Sequence, residues 1–266
     1  MNQYRNSPPR VVNAVLLLLS IVITACASAP TASTPPGSRS GSAKGPAVAL
    51  TDATSGKGQW SVAGWDTARL STAQHATYLS PMERRVILHL NMLRSDPGRY
   101  AREFIEPRIK YYQRNIYRPP WTPEYYGGTL TKEGVSALRE AIKDLSAAPP
   151  VGLLMPSKGL AMAARDHARD KARHGGMSHT DSRGRELDTR VEQYGYWYKR
   201  IAENISYGRD AAVDNIVGLL IDDGVPSRGH RKSLITADFK KVGVAMAGHP
   251  RFGHVCVINL AAGFEE

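Results

Sequence analysis

Two imidazoles and two carboxylates stand in three short runs of this chain: Ser178-His179-Thr180-Asp181, Ala202-Glu203-Asn204, and the ten residues from Asp222-Asp223-Gly224 to Gly229-His230-Arg231. Each run sets a His or an acid beside small or turn-forming residues, where a side chain can be aimed into a shared cavity. Imidazole is a common ligand for divalent transition metals, and a neighbouring acid fixes its tautomer. His179 and His230 with open positions could therefore hold zinc or another divalent cation. Metal-assisted hydrolysis, with Glu203 as general base, is one chemistry open to such a set. The other reading is a polar network in which each His is bonded to an acid and shapes a cleft. Acyl transfer is poorly provided for. Ser178, Ser206 and Ser227 lie near the quartet, but none sits in a Gly-x-Ser-x-Gly elbow, and Cys256 lies between Val255 and Val257, apolar neighbours that raise a thiol pKa. Of the other histidines, His167 and His174 read as solvent-facing on one helix, and His249 and His254 flank a hairpin turn. Asn204 reads as capping a cleft backbone group and Arg231 as pairing with an acid.

The elements that must position this quartet follow from hydropathy period and punctuation. Ser80-Pro81 is an N-cap followed by proline at the first helical position, and Val86, Leu90 and Leu93 keep helical spacing up to Asp96-Pro97-Gly98. A second helix is expected over Arg99–Ile105. Lys110–Gly128 reads as an irregular loop carrying Tyr111, Tyr112, Tyr117, Trp121, Tyr125 and Tyr126, packed down by its own rings rather than forming a stacking platform. Helices are expected over Leu130–Leu145, over Ser157–Arg173 with Ser157 as cap, over Asp210–Ile221, and in a short turn near Ser227–Leu234. Ile201–Tyr207 reads as a strand. Lys241–Met246 and His254–Leu260 read as strands of a closing hairpin through Gly248–Gly253. Helices first and a hairpin last, without βαβ alternation, argue for an α+β layered sandwich.

The amino terminus adds a location. Arg5 and Arg10 precede the apolar run Val11–Ile23, which ends at Thr24-Ala25-Cys26. That is the layout of a secretory leader, and the apolar run is too short for a comfortable spanning helix. A cysteine directly after a small residue at the cleavage point resembles a bacterial lipobox. It implies removal of residues 1–25, acylation of Cys26, and a membrane partner reached through that lipid, with outer-membrane delivery suggested by Ala27 after the cysteine. Ala27 to about Trp60 is Ser, Thr, Ala, Gly and Pro with little to bury, so it reads as a flexible tether; residues 61–80 are transitional, and the folded domain is placed at 81–264. The formal charge is +11, and loss of Arg5 and Arg10 leaves 33 basic against 24 acidic residues, or +9. Such a surplus favours anionic lipid or cell-wall surfaces. Runs such as Arg165-Asp166-His167-Ala168-Arg169-Asp170-Lys171 interleave the signs, so no nucleic-acid stripe is expected. With Cys26 lipidated, Cys256 has no disulfide partner.

The ordered set of His-Thr-Asp (179–181), Ala-Glu-Asn-Ile (202–205), an acid ending an apolar helix (222–223), Gly-His-Arg (229–231) and Val-Gly-Val (242–244) resembles the CAP superfamily of cysteine-rich secretory, antigen 5 and pathogenesis-related proteins, with its bacterial SCP-domain members. The resemblance covers about Pro81–Phe264. It implies a three-layer α-β-α sandwich whose central cleft is lined by His179, Glu203, His230 and a second acid, for which spacing alone favours Asp223 over Asp222. It also implies a binding module for a small lipid-like ligand or an envelope partner, with a metal-dependent hydrolase of peptides or envelope polymers as the alternative.

Overall fold

The computed structural model describes residues 60–122, 124 and 126–266; the leader, Cys26 and the tether up to residue 59 lie outside the described residues. Helix α1 (Thr67–Leu70) precedes α2 (Pro81–Ser95), which opens with a full capping box: Ser80 Oγ accepts from Glu83 N–H (3.2 Å) and Glu83 Oε2 accepts from Ser80 N–H (2.7 Å). A short α3 (Pro97–Tyr100) runs on into a π-helical turn at Ala101–Ile105 and a 3₁₀ turn at Glu106–Tyr111. Strands β1 (Tyr112–Gln113), β2 (Ile116–Tyr117) and β3 (Thr129–Leu130) form a small antiparallel sheet in the order β1-β2-β3. Next come α4 (Val135–Ala147), β4 (Met155–Pro156), α5 (Lys158–His174) capped by Ser157, α6 (Leu187–Val191) and β5 (Tyr196–Tyr207). The chain closes with α7 (Ala212–Ile221), α8 (Gly229–Leu234), β6 (Lys241–His249) and β7 (Gly253–Glu265).

The main sheet has the order β4-β6-β7-β5, parallel between β4 and β6 and antiparallel elsewhere, with β5 at an edge. Strand alternation divides its two faces. Ile201, Ile205 and Tyr207 of β5 pack with Leu160, Ala163, Ala164 and Ala168 of α5, whereas Ala202 faces the large core built by α2, α4 and α7. The fold is therefore an α+β sandwich of three layers, as the order of elements implies. The layer spacing is narrow at one point: a Cβ on Gly243 of β6 would lie 2.1 Å from the backbone nitrogen of Ala161 in α5. Among the described residues no helix is long and apolar enough to cross a membrane.

Three expectations change. Residues 60–80 are not tether but part of the fold: Trp65, Leu70, Ala73 and Leu79 are buried, and Trp65 Nε1–H donates to Glu103 Oε2 (2.7 Å) beneath the stacked Arg99 guanidinium (4.2 Å). A single indole that buries its ring and satisfies its N–H orders a segment whose average composition is polar. The helix expected from Leu130 begins at Val135: Thr129–Leu130 is a strand, Lys132 and Glu133 form a bend whose N–H groups are taken by the Asp223 carboxylate, and Gly134 precedes the helix at φ 60°. In the segment after Lys110, Tyr111, Tyr112, Tyr117 and Trp121 pack ring against ring as expected, Tyr125 lies outside the described residues, and the segment also supplies β1 and β2 of the small sheet.

Replacing Gly243 by Ala should destabilise the protein by about 1–3 kcal/mol, since the methyl group meets backbone rather than a movable side chain. Equilibrium denaturant unfolding of the purified protein measures it; a loss under about 0.5 kcal/mol would show that α5 and β6 can separate at little cost.

Candidate functional site

Glu203 lies on β5 with its side chain toward α5 and α6, and it is buried. A carboxylate stripped of water needs donors on every side. His179 Nδ1–H donates to Oε1 (2.8 Å) and Arg190 Nη2–H to Oε2 (2.7 Å). Asn259, directly across on β7, donates to Oε2 (3.2 Å) and accepts from Ala164 N–H (3.1 Å) when its amide is turned with nitrogen toward the carboxylate, the orientation that satisfies both groups. Arg190 of α6, fully buried, also donates to the backbone carbonyls of His179 (2.7 Å) and Arg185 (2.8 Å), so one guanidinium fixes both the acid and the histidine's loop. Burial alone would raise the Glu203 pKa, but the His179 hydrogen bond and the charges of Arg190 and His167 outweigh it and bring it down to about 2.

The second histidine, His230 on α8, is held by Asp222. Its Nδ1–H donates to Asp222 Oδ1 (2.6 Å) and its backbone N–H to Oδ2 (3.0 Å). Asp222 ends α7 in the left-handed region (φ 56°), which swings its carboxylate back onto the first turn of α8. Asp and Asn tolerate that conformation better than other side chains. Helix α8 begins at Arg228 without a side-chain cap of its own, so Asp222 supplies one from outside. Arg228 and Arg231 then tie α8 to α4: Arg228 pairs with Glu133 (2.6 Å) and Glu140 (2.6 Å), and Arg231 with Glu140 (3.0 Å) and Asp144 (2.6 Å).

The choice of Asp223 as second acid is thus corrected to Asp222. Asp223 points the other way, accepting from Lys132 N–H (2.7 Å) and Glu133 N–H (2.8 Å), because the left-handed turn at Asp222 separates two adjacent side chains that spacing cannot distinguish. The quartet is also built as two His–acid pairs rather than one cluster. Glu203 faces the α5 side of β5, while its neighbour Asn204 accepts from Ser233 Oγ of α8 (2.6 Å), so β5 links the pairs from its two sides. Asn204 therefore meets a hydroxyl, not a backbone group. His167, expected in solvent, is fully buried: Nε2–H donates to Ser178 O (3.1 Å), Nε2 lies 3.9 Å from Glu203 Oε1, and Nδ1 is buried with no hydrogen-bond partner. His249 is buried as well, bonded through Nε2 to Gly176 O (3.1 Å). Arg190 was missed, although Leu187 and Val191 at helical spacing mark its short helix. Cys256 is a buried strand thiol, as expected, and burial pushes its pKa up.

Both histidines give Nδ1 to a carboxylate, which takes that nitrogen out of reach of a metal ion. Among the described residues no group of three or more His, Cys, Asp or Glu side chains is arranged to hold a metal ion. Structural and catalytic zinc sites draw on at least three protein ligands, and these residues do not supply that set.

Residues 111–260, more than half of the chain, match the family model described as CAP: Cysteine-rich secretory protein family. The chain belongs to the CAP family. No curated protein matches it. Among solved structures, an outer surface protein from Borrelia burgdorferi aligns at 19% identity over 42% of this chain and 78% of that one, with a TM-score of 0.36. An extracellular protein containing an SCP domain from Bacillus anthracis str. Ames aligns at 20% identity over 48% of this chain and 37% of that one, also at 0.36.

Two predictions follow from the geometry of this CAP domain. Asp222→Ala should cost about 3–5 kcal/mol, because it strips a buried, hydrogen-bonded partner from His230, whereas Asp223→Ala should cost about 1 kcal/mol as the loss of an exposed cap. Denaturant unfolding of both variants checks the order, and equal losses would undo the assignment of Asp222. The second concerns acid. Burial, aided by Arg190 and Lys171 and opposed by Glu203, lowers the His167 pKa from 6.5 to about 4, so the unfolded chain binds a proton that the folded one refuses. Stability is then full above pH 6.5 and falls as pH drops from 6.5 to 4, by about 3 kcal/mol from this residue alone. Glu203 adds a further loss below pH 4.5, where the unfolded carboxylate protonates first. A His167→Gln variant should flatten the 6.5-to-4 window, read as melting temperature against pH; an unchanged slope would place the acid sensitivity elsewhere.

Proposed function

We propose that this chain is a cell-envelope CAP-domain binding module, anchored by a lipid on Cys26 and holding a small lipid-like ligand or an envelope partner at the histidines carried by Glu203 and Asp222. The observation that carries this reading is the engagement of both Glu203 oxygens inside the fold. Its two oxygens accept from His179, Arg190 and Asn259, and its pKa is about 2. A general base works best with a pKa near the operating pH and with a lone pair aimed at substrate. A depressed pKa and two engaged oxygens make Glu203 a poor base for the hydrolase alternative, and burial makes the Cys256 thiol a poor nucleophile in its place. The same hydrogen bonds suit a recognition surface: they fix both imidazoles in orientation before any ligand arrives. The leader, the cysteine after Ala25 and the basic surplus support placement at an anionic membrane or wall surface.

The test has two arms. Cells expressing the full chain are labelled with an alkynyl palmitate, and label in the envelope fraction should disappear in Cys26→Ser. Binding is then measured on the Cys26→Ser chain, so that the anchor does not contribute, using phosphatidylglycerol vesicles and soluble peptidoglycan fragments. Retention by one of them, weakened about tenfold or more in a His179→Ala/His230→Ala variant that still melts cooperatively, is the expected result. Turnover of peptide or envelope polymer that Glu203→Gln abolishes would replace this reading with the hydrolase.

A further inference from the structure

Residues between Arg108 and Thr131 and residues of α7 line a half-open cavity of about 260 Å³, and none of His179, Glu203, Asp222 and His230 is in that lining. Tyr112, Tyr117, Trp121 and Tyr126 line one side, and Arg209, Gly218 and Ile221 line the other. The rings are held by one another: Tyr112 and Tyr117 have centroids 5.0 Å apart, and Trp121 packs edge-on against Trp60 at 6.3 Å. The walls therefore exist before any ligand arrives.

The charges around the cavity are unequal in what they have left to give. Asp214 is spent on Arg108 (2.7 Å), and both oxygens of Asp223 are spent on the N–H groups of Lys132 and Glu133. Asp210 is exposed at the mouth, where solvent screens it. Arg209 is different. Its hydrogen bonds to Ser206 Oγ (3.3 Å) and Tyr207 O (3.2 Å) both use Nη1, and it forms no salt bridge among the described residues. Nε–H and the Nη2 hydrogens are left without a protein acceptor, and they are not among the sealed, unpartnered atoms. Burial costs this guanidinium and holds its pKa below the usual arginine value. Its plane lies against α7 at the residue that makes room for it, since a Cβ on Gly218 would stand 2.3 Å from Arg209 Cζ.

We propose that this cavity is a second ligand site, for a small organic anion with a flat aromatic body whose carboxylate is received by Arg209. A planar guanidinium with unused donors suits a carboxylate, which accepts two parallel N–H bonds. Tyrosine and tryptophan faces suit a flat ring. The volume lies just below the usual range of ligand pockets, of order 300–1,000 Å³, which fits one ring and a substituent rather than a long acyl chain. Aromatic walls also recognise quaternary ammonium groups, but with Arg108 paired to Asp214, Asp223 engaged by backbone N–H groups and Asp210 exposed at the mouth, the Arg209 guanidinium is the charge left inside, and it opposes a cation. The site stands independently of the envelope reading above.

The experiment is calorimetric titration of the full chain, in non-ionic detergent, with benzoate, benzamide and choline. Benzoate should bind, with benzamide and choline each about tenfold weaker or worse. Gly218→Ala should push the guanidinium off α7 and weaken benzoate about tenfold, while its melting temperature holds or rises because Ala is the better helix former. Arg209→Met should abolish benzoate binding, and Arg209→Lys should keep part of it. No benzoate binding, choline binding as tightly as benzoate, or full benzoate affinity in Arg209→Met would each overturn the proposal.

Discussion

One desolvated carboxylate organises the α5 side of this molecule. Glu203 is charged and buried, and a charge so placed persists only if its surroundings supply donors that water would otherwise supply. Those donors come from three elements that are distant in sequence: the loop after α5 through His179, α6 through Arg190, and β7 through Asn259. Arg190 would itself be an unpaired buried cation without Glu203, and His179 Nδ1–H would lose its carboxylate acceptor. The acid, the guanidinium and the imidazole are therefore mutually dependent, and the orientation of His179 is a consequence of charge compensation inside the fold. His167 pays for this arrangement by remaining neutral with Nδ1 unpartnered.

The α8 side solves the same problem with backbone geometry. Asp222 leaves α7 in a left-handed turn, caps α8 and orients His230 with the same carboxylate. Helix α8 has only six residues and could not stand alone. Its place is set by Asp222 at the amino end and by the guanidinium groups of Arg228 and Arg231 against α4. Each histidine thus inherits its position from a buried acid, one on a strand and one at a helix end. β5 joins the two through adjacent residues, Glu203 and Asn204, which the strand's alternation sends to opposite faces.

Much of this was legible in the residues. The caps at Ser80 and Ser157, the closing hairpin and the buried Cys256 follow from local signals whose physics is short-range, while the three-layer order and the assignment of His179, Glu203 and His230 came with the family resemblance. What was not legible depended on φ or on long-range packing. Asp222 and Asp223 are equivalent in spacing, and only the left-handed turn decides which one meets His230. His167 sits in a run dense with charge, but the alanines at 164 and 168 let α5 approach the sheet so closely that its polar appearance misleads. Trp65 carries residues 60–80 into the core through one ring, a contribution that segment-averaged composition dilutes.

Packing also revises what the net charge means. Among the described residues the buried cations are Arg94, Arg108, Lys171, Arg190, Arg228 and Arg231, against the buried acids Glu83, Asp181, Glu203 and Asp222. Arg94 has no carboxylate at all: it donates to the carbonyls of Gly152, Leu234, Thr236 and Phe239, and burial lowers its pKa to about 10. Part of the basic surplus is therefore internal, spent on gathering carbonyl groups and partly buried acids between helices. The excess of buried cations is only two, so most of the +9 expected after loss of the leader remains on the outside or in the segment before residue 60. An attraction to anionic surfaces then rests on those outer charges. It should weaken as salt screens them, over a Debye length of about 8 Å at physiological ionic strength, while the internal guanidinium groups stay unaffected because no salt reaches them.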